Sequence, residues 1–321
     1  MKRAKPLPAL ALAAILALAP AAARADVVLS LNASFVEKHK DRATIDTSLF
    51  VDEYHKSPNS IIEDGDIHVA GRDTAILLPL VVEMLNGALM KPARERLRQT
   101  SPDRPVPVSG VWRLWFEHPG KEPQIQGRPV PKPKNSGPDH LFEIHPVTSF
   151  DGVDVLPSFV GIKDEKADFR GKDARAAFAH YQSREALVWP SDTAVMIETS
   201  RAFHNYTEFR MVLAGRPKKV DDGLMVLAHV HAVDDDSDEP IVADKIRMVF
   251  VAGTPAARML EGKGKGDSLH VLGIPRVNLN KVYAYAMKLK ERGVNNRLPD
   301  EKIKLPYEMI IAAVYEDPAE E

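Results

Sequence analysis

The alternation of hydrophobic and polar residues along the chain predicts a mainly β protein with short helices. Runs in which every second residue is apolar, the period of a half-buried strand, recur in both halves between turns rich in Gly, Pro and Asp. In the first half the pattern predicts strands at residues 61–70, 74–85, 105–117 and 140–150, with a helix at 92–99. In the second half it predicts strands at residues 194–199, 206–214, 224–233, 245–251, 268–279 and 306–315, with helices at 174–183 and 256–260.

Breaks in this pattern indicate how the chain divides. Residues 26–59 carry many charges around two short apolar runs, and we interpret them as an N-terminal arm that packs on the first domain. Residues 60–156 and 193–321 are the two β-rich domains that the strands predict. Residues 157–192 are the linker between them, which holds the charged helix.

The two β-rich halves end in the same way. Each has a strand with a Gly in its middle and an Arg three residues later, Arg113 in the first half and Arg276 in the second. Each then continues through an irregular connection to a last strand that carries a Glu, Glu143 or Glu308. A Gly inside a strand marks a bulge or a tight bend, as closing a small barrel requires. The similarity favours a duplicated unit, although short β patterns also repeat by coincidence.

With these segments the chain resembles known folds. The second half resembles an OB-fold of the single-stranded-DNA-binding type, in the segment Asn205-Tyr206-Thr207-Glu208-Phe209 and in residues 266–273 ahead of the last strand. The first half resembles small exported bacterial proteins with an Asp-Gly-Asp-x-His strand and a closing Glu-x-His-Pro-Val strand, here residues 64–68 and 143–147. The resemblance implies two OB-like small β-barrels in tandem, with binding on one face and in the loops. Fold alone does not give function.

The first 25 residues have the pattern of a cleaved signal peptide. A positive start precedes an apolar run, and Ala23-Arg24-Ala25 is a cleavage motif. We therefore expect a periplasmic or secreted protein, cleaved after Ala25, without a transmembrane segment in the mature chain. The chain contains no cysteine, which excludes disulfides, thiol catalysis and thiolate metal sites. Its 43 Lys and Arg against 45 Asp and Glu give no general basic excess for nucleic acid.

The densest group of chemically active side chains lies in residues 63–68 and 140–146. Alternate side chains of a strand share a face, so Asp64, Asp66 and His68 are expected to project together, as are Glu143 and His145. Imidazole with carboxylate suits a divalent metal such as zinc or manganese. The candidate metal ligands are therefore Asp66, His68, His118, Glu143 and His145.

A structural polar network is the alternative explanation of the same residues. In that interpretation Asp64-Gly65-Asp66 is a turn whose side chains accept hydrogen bonds from backbone N–H groups. The sequence leaves open whether the two marked strands are neighbours, and a metal site requires that they meet.

Trp115, Arg113 and Arg72 are the candidate ligand-binding residues. Aromatic side chains on an OB face can stack on bases or sugar rings, and Trp115 lies nearer the following loop than Trp112 does. The Asp-Gly-Asp strand also resembles staphylococcal-type nucleases, in which Arg72 and Arg113 would take the phosphate-binding role. The sequence lacks the Arg-x-x-x-x-Asp-x-Pro-Glu segment of that family.

We predict from these observations an exported, non-enzymatic binding or interaction protein, whose ligand or envelope partner the sequence does not identify. The alternative is a metal-dependent hydrolase, acting on phosphate esters, that uses the Asp/His/Glu residues of the first domain. A third interpretation is a scaffold for an envelope complex. Nucleic acid is a less favoured partner, because exported bacterial proteins seldom meet single-stranded DNA.

Overall fold

The computed structural model describes residues 27–163, 167–234 and 239–315. The signal peptide predicted at residues 1–25 lies outside this part of the chain. Over the described residues the chain is mainly β, with five short helices, as the alternation predicts. Its strands form two closed five-stranded barrels and one open sheet. No helix among these residues is long and apolar enough to cross a membrane.

Most predicted strands are present, but the strand predicted at 61–70 begins only at Ile67, the one predicted at 74–85 begins only at Leu80, and β10 lies in the predicted linker. The first half contains β1 (Val27–Asn32), α1 (Ala33–His39), β2 (Thr44–Tyr54), β3 (Ile67–Asp73), β4 (Leu80–Met84), α2 (Lys91–Arg98), β5 (Val106–His118), β6 (Gln124–Ile125), β7 (His140–Phe150) and β8 (Val153–Asp154). The second half contains β9 (Lys172–Asp173), α3 (Ala174–Ser183), β10 (Glu185–Pro190), β11 (Ala194–Thr199), β12 (Thr207–Leu213), β13 (Lys218–Val220), β14 (Gly223–His231), β15 (Ile246–Val251), α4 (Pro255–Leu260), β16 (Ser268–Val277), α5 (Leu279–Glu291), β17 (Ile303–Lys304) and β18 (Tyr307–Tyr315). The three predicted helices correspond to α2, α3 and α4.

The two barrels share one connectivity. Barrel 1 closes through β2, β3, β4, β7 and β5, and barrel 2 through β12, β14, β15, β18 and β16. In each barrel the third and fifth strands are parallel and the first and fourth are antiparallel. A short helix, α2 or α4, connects the third strand to the fourth. This arrangement is compatible with the OB-like barrels in tandem that the sequence predicts.

The mid-strand glycines lie at bulges, as predicted. The register of β5 against β7 shifts at Gly110, and that of β16 against β18 shifts at Gly273. A Cβ atom at Gly110 would overlap Ile144 and the backbone of Pro146 and Val147. The glycine is required there because the neighbouring strand approaches too closely for any side chain.

The open sheet lies beside the barrels and has the strand order β17-β10-β11-β1-β6. It takes β1 from the predicted N-terminal arm and β11 from the predicted second domain. The arm also contains β2, the first strand of barrel 1, whose inward residues Ile45, Leu49 and Val51 are buried. The division into domains at residues 60, 157 and 193 stays a prediction.

Helix α5 was not predicted, although the sequence of Leu279–Glu291 has a helical pattern. The buried residues Leu279, Val282, Ala286 and Leu289 recur at the spacing of one helix face. The side chain of Asn278 accepts a hydrogen bond from the backbone N–H of Lys281, which caps the first turn. A search for helical periodicity in this segment would have found the element.

Candidate functional site

The predicted carboxylate and histidine residues meet on the outer face of barrel 1, where barrel 2 covers it. On β4 the residues on either side of Glu83 belong to the apolar core, so the side chain of Glu83 turns away from it. Glu143 and His145 turn the same way on β7, and Asp66 approaches from the loop before β3. Asp66, Glu83, Glu143 and His145 are all buried, with at most 3% of their surface exposed. We call these four residues and Tyr206 the buried cluster.

His145 lies at the centre of the buried cluster. Its Nε2 atom is 2.8 Å from the hydroxyl of Tyr206 and 3.2 Å from Oδ2 of Asp66. Its Nδ1 atom is 3.1 Å from Oε2 of Glu83 and 3.5 Å from Oε2 of Glu143. The Tyr206 hydroxyl donates to Oδ2 of Asp66 at 2.5 Å. Because Tyr206 directly precedes β12, the second barrel provides the cover over residues of the first.

The charges of the buried cluster favour a protonated imidazole. Burial lowers the pKa of His145, but the charge of Glu83 and the hydrogen bonds to Asp66 and Glu143 outweigh it and raise that pKa to about 10. Burial raises the pKa of Asp66 to about 6, against the opposing hydrogen bond with His145. Burial also acts to raise the pKa of Glu83, yet the charges of His68 and His145 leave this pKa below its ordinary value. At neutral pH the cluster is therefore an imidazolium surrounded by carboxylates.

Arg113 extends the ionic network along β5. Its Nη1 atom donates to Oε2 of Glu143 at 2.5 Å, and its Nη2 atom donates to Oε2 of Glu117 at 3.0 Å. On the other side of Glu143, Nε2 of His140 lies 3.2 Å from Oε1. Burial acts to raise the pKa of Glu143, but Arg113 and His140 together hold it well below its usual range. Both oxygens of this carboxylate thus have cationic or imidazole partners.

Barrel 2 contains an equivalent pair, Arg276 and Glu308. Arg113 and Glu143 are cross-strand partners on β5 and β7, and Arg276 and Glu308 are cross-strand partners on β16 and β18. Nε of Arg276 donates to Oε1 of Glu308 at 2.7 Å, and both residues are fully buried. The two barrels therefore have an Arg–Glu pair at equivalent positions. That the two barrels arose by duplication of one unit stays a prediction.

The two arginines also join the barrels to each other. Nε of Arg113 donates to the carbonyl oxygen of Pro275 at 3.1 Å, and Nη1 of Arg276 donates to that of Trp112 at 3.0 Å. Each arginine therefore binds the residue that immediately precedes the other. The guanidinium of Arg276 also lies over the ring of Trp112, 3.6 Å from its centroid. This reciprocal contact fixes β5 against β16.

Two groups in the described part of the chain could hold a metal ion: Asp66 with Glu83 and His145, and Glu83 with His140 and Glu143. In each group the ligand atoms lie within 4.8 Å of one another. Oδ1 of Asp66 is buried and makes no hydrogen bond with the described residues, and Nδ1 of His145 faces the carboxylates of Glu83 and Glu143. Carboxylate and imidazole donors of this kind fit a divalent cation, which would displace the proton of His145 on binding.

The structure brings Asp66, Glu143 and His145 together but leaves the other two predicted ligands at the margins. Nε2 of His68 is 3.8 Å from Oε1 of Glu83. His118 is exposed and stacks on His140, with ring centroids 5.1 Å apart. Neither belongs to a group that could hold a metal.

The expected common face of Asp64, Asp66 and His68 is wrong for Asp64. Gly65 takes a φ of +69°, which interrupts the extended chain before β3 begins. Oδ1 of Asp64 instead accepts hydrogen bonds from the backbone N–H of Asp66 at 3.0 Å and from the side chain of Asn59 at 2.9 Å. The turn with a capping side chain, the alternative explanation, is the conformation found.

Sequence reasoning missed Glu83, His140 and Tyr206. Glu83 is the only charged residue in the apolar segment 74–85, and a charge inside a buried strand is a signal that was available. Its strand β4 lies between β3 and β7, so the two strands marked in the sequence are not direct neighbours. Tyr206 is 61 residues from His145 along the chain, and no local pattern predicts their contact.

The candidate ligand-binding residues lie in different environments. Trp115 is 1% exposed and packs edge-on against Tyr181, and Arg113 is equally buried. Arg72 lies on β3 and donates from Nε and Nη2 to Asp52, at 2.8 and 2.9 Å. Their role in ligand binding stays a prediction, and for Trp115 and Arg113 it would require that the covering residues move.

Comparison with protein-family models, with curated proteins and with solved structures finds no match for this chain. The function has to be inferred from the side chains themselves. Two features carry that inference: the buried cluster between the barrels, and a surface groove on barrel 2.

Proposed function

We propose that the chain is an exported, non-enzymatic binding protein of two OB-like barrels that act as one rigid body. Its partner is an acidic, partly apolar segment of another envelope protein, which binds along a groove on barrel 2. The observation that carries this proposal is an apolar cavity floor at Leu227 beside four cationic side chains, three of which make no ion pair with a described residue. We call Arg216, Lys218, Leu227, Lys245 and Arg247 the barrel 2 groove.

The barrel 2 groove has an apolar floor. Leu227 is 50% exposed although its neighbours on β14, Val226 and Ala228, are buried. Across the sheet Leu227 pairs with Arg247 of β15. The cavity beside it has a volume of about 560 Å³, a size typical of ligand sites. Leu227 lines this cavity together with Val220, Met225 and Val226, and a continuous apolar floor of this kind supports contact with a partner's apolar side chain.

The rim of the groove is positively charged. Arg216, Lys218 and Lys245 are exposed and make no ion pair with any described residue. Arg247 is held by Glu308 and Asp41 and so anchors one side of the rim. Unpaired cations around an apolar floor complement Asp or Glu residues that flank a leucine-like side chain. A polypeptide supplies both features, whereas the backbone of a nucleic acid supplies only the charge.

The buried cluster supports a mechanical role for the charges between the barrels. Its titratable groups are closed to solvent and bind one another across the junction, with Tyr206 of the second barrel on Asp66 and His145 of the first. A junction held in this way presents the groove on a rigid platform, which lowers the entropy cost of binding.

The test is fluorescence anisotropy with a labelled peptide of alternating Glu and Leu, at low and high salt. We expect saturable binding in the micromolar range that weakens with salt. Leu227→Ser and Lys245→Glu should each weaken binding about tenfold, because they remove an apolar contact and an attractive charge.

Matched controls use the same substitutions outside the groove. Val233 is 43% exposed and Lys134 is exposed, and Val233→Ser and Lys134→Glu should leave the affinity unchanged. Equal binding by the groove variants and wild type would overturn the proposal. Tighter, groove-dependent binding of a thymidine oligonucleotide than of the peptide would replace the polypeptide partner by nucleic acid.

A second candidate function follows from the grouping of Asp66, Glu83 and His145, whose ligand atoms lie within 4.8 Å of one another, and from Asp66 Oδ1, which is buried without a hydrogen bond. We propose that Asp66, Glu83 and His145 hold a zinc or manganese ion, which would join a loop and two strands of barrel 1 beneath Tyr206. A metal-dependent phosphoester hydrolase is the enzymatic form of this candidate. It requires in addition that Tyr206 withdraws to admit substrate and water.

Elemental analysis of the purified protein tests the metal. We expect about one equivalent of a transition metal in wild type and its loss in a Glu83→Gln/His145→Gln variant. His118→Gln is the matched control, since His118 lies outside both groups, and it should retain the metal. Protein that carries no metal and takes up none on dialysis would end this candidate, and with it the hydrolase.

A further inference from the structure

We propose a second binding site, for a small organic anion, in the cavity between α1 and barrel 1. Lys38, His39 and Arg42 would hold the oxyanion head of the ligand, a phosphate monoester or a carboxylate. Phe35 and Ile45 would contact its apolar body. We call these five residues the α1 pocket. This site is separate from the barrel 2 groove and from the buried cluster, and it does not depend on either proposed function.

The α1 pocket lies where the open sheet meets barrel 1. Its volume is about 400 Å³, which suits a small metabolite. The end of α1 supplies the cationic side, and the start of β2 supplies Ile45 and the opposite wall. Asn32 and Ser34 add polar side chains at the mouth. Cavities of this size at the junction of two substructures are common ligand sites.

His39 is the observation that points to a ligand. The side chain is 6% exposed and lines the cavity, yet neither ring nitrogen makes a hydrogen bond with a described residue, and Nδ1 is fully enclosed. A buried polar group without a partner costs free energy unless a ligand or water satisfies it. The neighbouring ring of Phe35, 4.6 Å away between centroids, holds the imidazole in place without offering a hydrogen bond.

Cationic side chains outnumber carboxylates in the lining of the cavity, where Lys38 and Arg42 stand with His39 and the one carboxylate is that of Asp46. Lys38 is exposed and makes no ion pair with a described residue. Arg42 uses only Nε, at a long 3.4 Å from Asp222, and its two terminal nitrogens are free to bind an oxyanion. Burial, followed by the charges of Lys38 and Arg42, lowers the pKa of His39 to about 4, while Asp222 and Asp46 act weakly in the opposite direction. An anion beside these groups would relieve their repulsion.

The backbone that carries Arg42 is held in advance. Its carbonyl oxygen accepts hydrogen bonds from Nε1 of Trp112 at 2.8 Å and from Nη2 of Arg276 at 3.1 Å. Asp222 accepts from the backbone N–H groups of Ala43 and Thr44, at 2.9 and 2.8 Å. The cationic side of the α1 pocket is thus positioned before any ligand arrives, as a binding site requires.

The experiment is titration calorimetry of the full mature protein at neutral pH with phenyl phosphate and with benzoate. We expect one saturable site with Kd below about 1 mM for at least one of the two probes. Arg42→Gln should weaken binding at least about tenfold and Lys38→Gln less, because Arg42 is the better positioned donor. The matched control is Lys40→Gln, since Lys40 lies two residues from Lys38 and does not line the cavity.

A second readout follows His39 directly. Its imidazole resonance, assigned with a His39→Gln variant, should titrate near pH 4 without ligand and at higher pH with ligand, because a bound anion favours the protonated ring. Circular dichroism establishes that the variants are folded. The proposal is overturned when neither probe binds, or when Arg42→Gln binds as tightly as Lys40→Gln.

Discussion

We expect the replacement of Arg276 by methionine to lower the stability of the protein strongly, because Arg276 lies at the junction between the barrels. Methionine keeps much of the length and apolar volume of the arginine stem but removes the guanidinium. That group donates from Nε to Glu308 and from Nη1 and Nη2 to the carbonyl oxygens of Ala43, Trp112 and Arg42, at 2.7–3.2 Å. Both Arg276 and Glu308 are fully buried, so water cannot replace these bonds.

The magnitude follows from what the variant leaves behind. Breaking a buried ion pair costs about 3–5 kcal/mol, because the remaining charge stays buried without compensation. Glu308 keeps Arg247 as a second partner, which reduces that cost, while three carbonyl oxygens lose donors, which adds to it. Burial lowers the pKa of Arg276 to about 10 against the opposing charge of Glu308, as expected for a guanidinium removed from water. We expect Arg276→Met to lower the free energy of unfolding by about 3–5 kcal/mol.

Urea denaturation, followed by circular dichroism and by tryptophan fluorescence, measures this loss. Trp112 lies under the guanidinium and so adds a signal from the junction to the fluorescence, while circular dichroism reports the barrels. The matched control is Arg210→Met on β12, where the arginine is half-exposed and makes no ion pair with a described residue. It should stay within about 0.5 kcal/mol of wild type. If Arg276→Met lowered the free energy of unfolding by less than about 1 kcal/mol, the pair of Arg276 and Glu308 would not stabilise the junction as argued, because removing one partner of a buried ion pair leaves the other charge buried and uncompensated.

Three further predictions concern the bulge, the tyrosine cover and pH. Gly110→Ala should lower the free energy of unfolding, measured by urea denaturation, by about 1–3 kcal/mol, because the added methyl group overlaps backbone atoms. Gly137→Ala is the control, since the space around Gly137 is open, and equal stability of the two variants would contradict the predicted clash. Tyr206→Phe should lower the free energy of unfolding by about 1–3 kcal/mol, because the buried Asp66 loses a hydrogen-bond donor. Tyr285→Phe is the control and should leave the stability unchanged. An unchanged stability in Tyr206→Phe would show that the hydroxyl does not stabilise the junction. In chelator-treated protein the stability from His145, whose folded pKa is about 10, should be complete below about pH 6.5 and be lost as pH rises toward 10, by at most about 5 kcal/mol. Urea midpoints of wild type and His145→Gln at several pH values measure this difference, and a slope shared by both proteins would assign it to other groups.

Much of the fold could be predicted because its signals are local. The alternation in β12, β14 and β15 and the helix at Ala174–Ser183 follow from neighbours along the chain, and the structure reproduces them. The bulges at Gly110 and Gly273 were predictable for the same reason, since a glycine inside a strand pattern has few other uses. Helix α5 was not predicted, although the helical spacing of its apolar residues is present in the sequence. This helix was therefore also predictable from local signals.

The candidate site likewise has features that local sequence predicts and features that depend on distant parts of the chain. The common direction of Glu143 and His145 follows from strand geometry alone. Their meeting with Asp66 required β4 between the two strands, and β4 contributed Glu83, which no spacing rule connects to either segment. The turn at Asp64 depended on the positive φ of Gly65, which the strand interpretation did not anticipate.

By itself the sequence determined that the chain is mainly β, where most strands lie, that thiol chemistry is excluded, and that an Arg and a Glu recur at matching places in the two halves. Tertiary structure alone decided that Arg113 pairs with Glu143 and Arg276 with Glu308 at a junction between two barrels, that Tyr206 covers His145, and that Leu227 remains exposed among cations. The physical reason is the distance along the chain over which each interaction acts. Strand periodicity and turn chemistry act over a few residues, whereas burial and the charge state of a group depend on side chains that long-range packing brings together from distant parts of the chain.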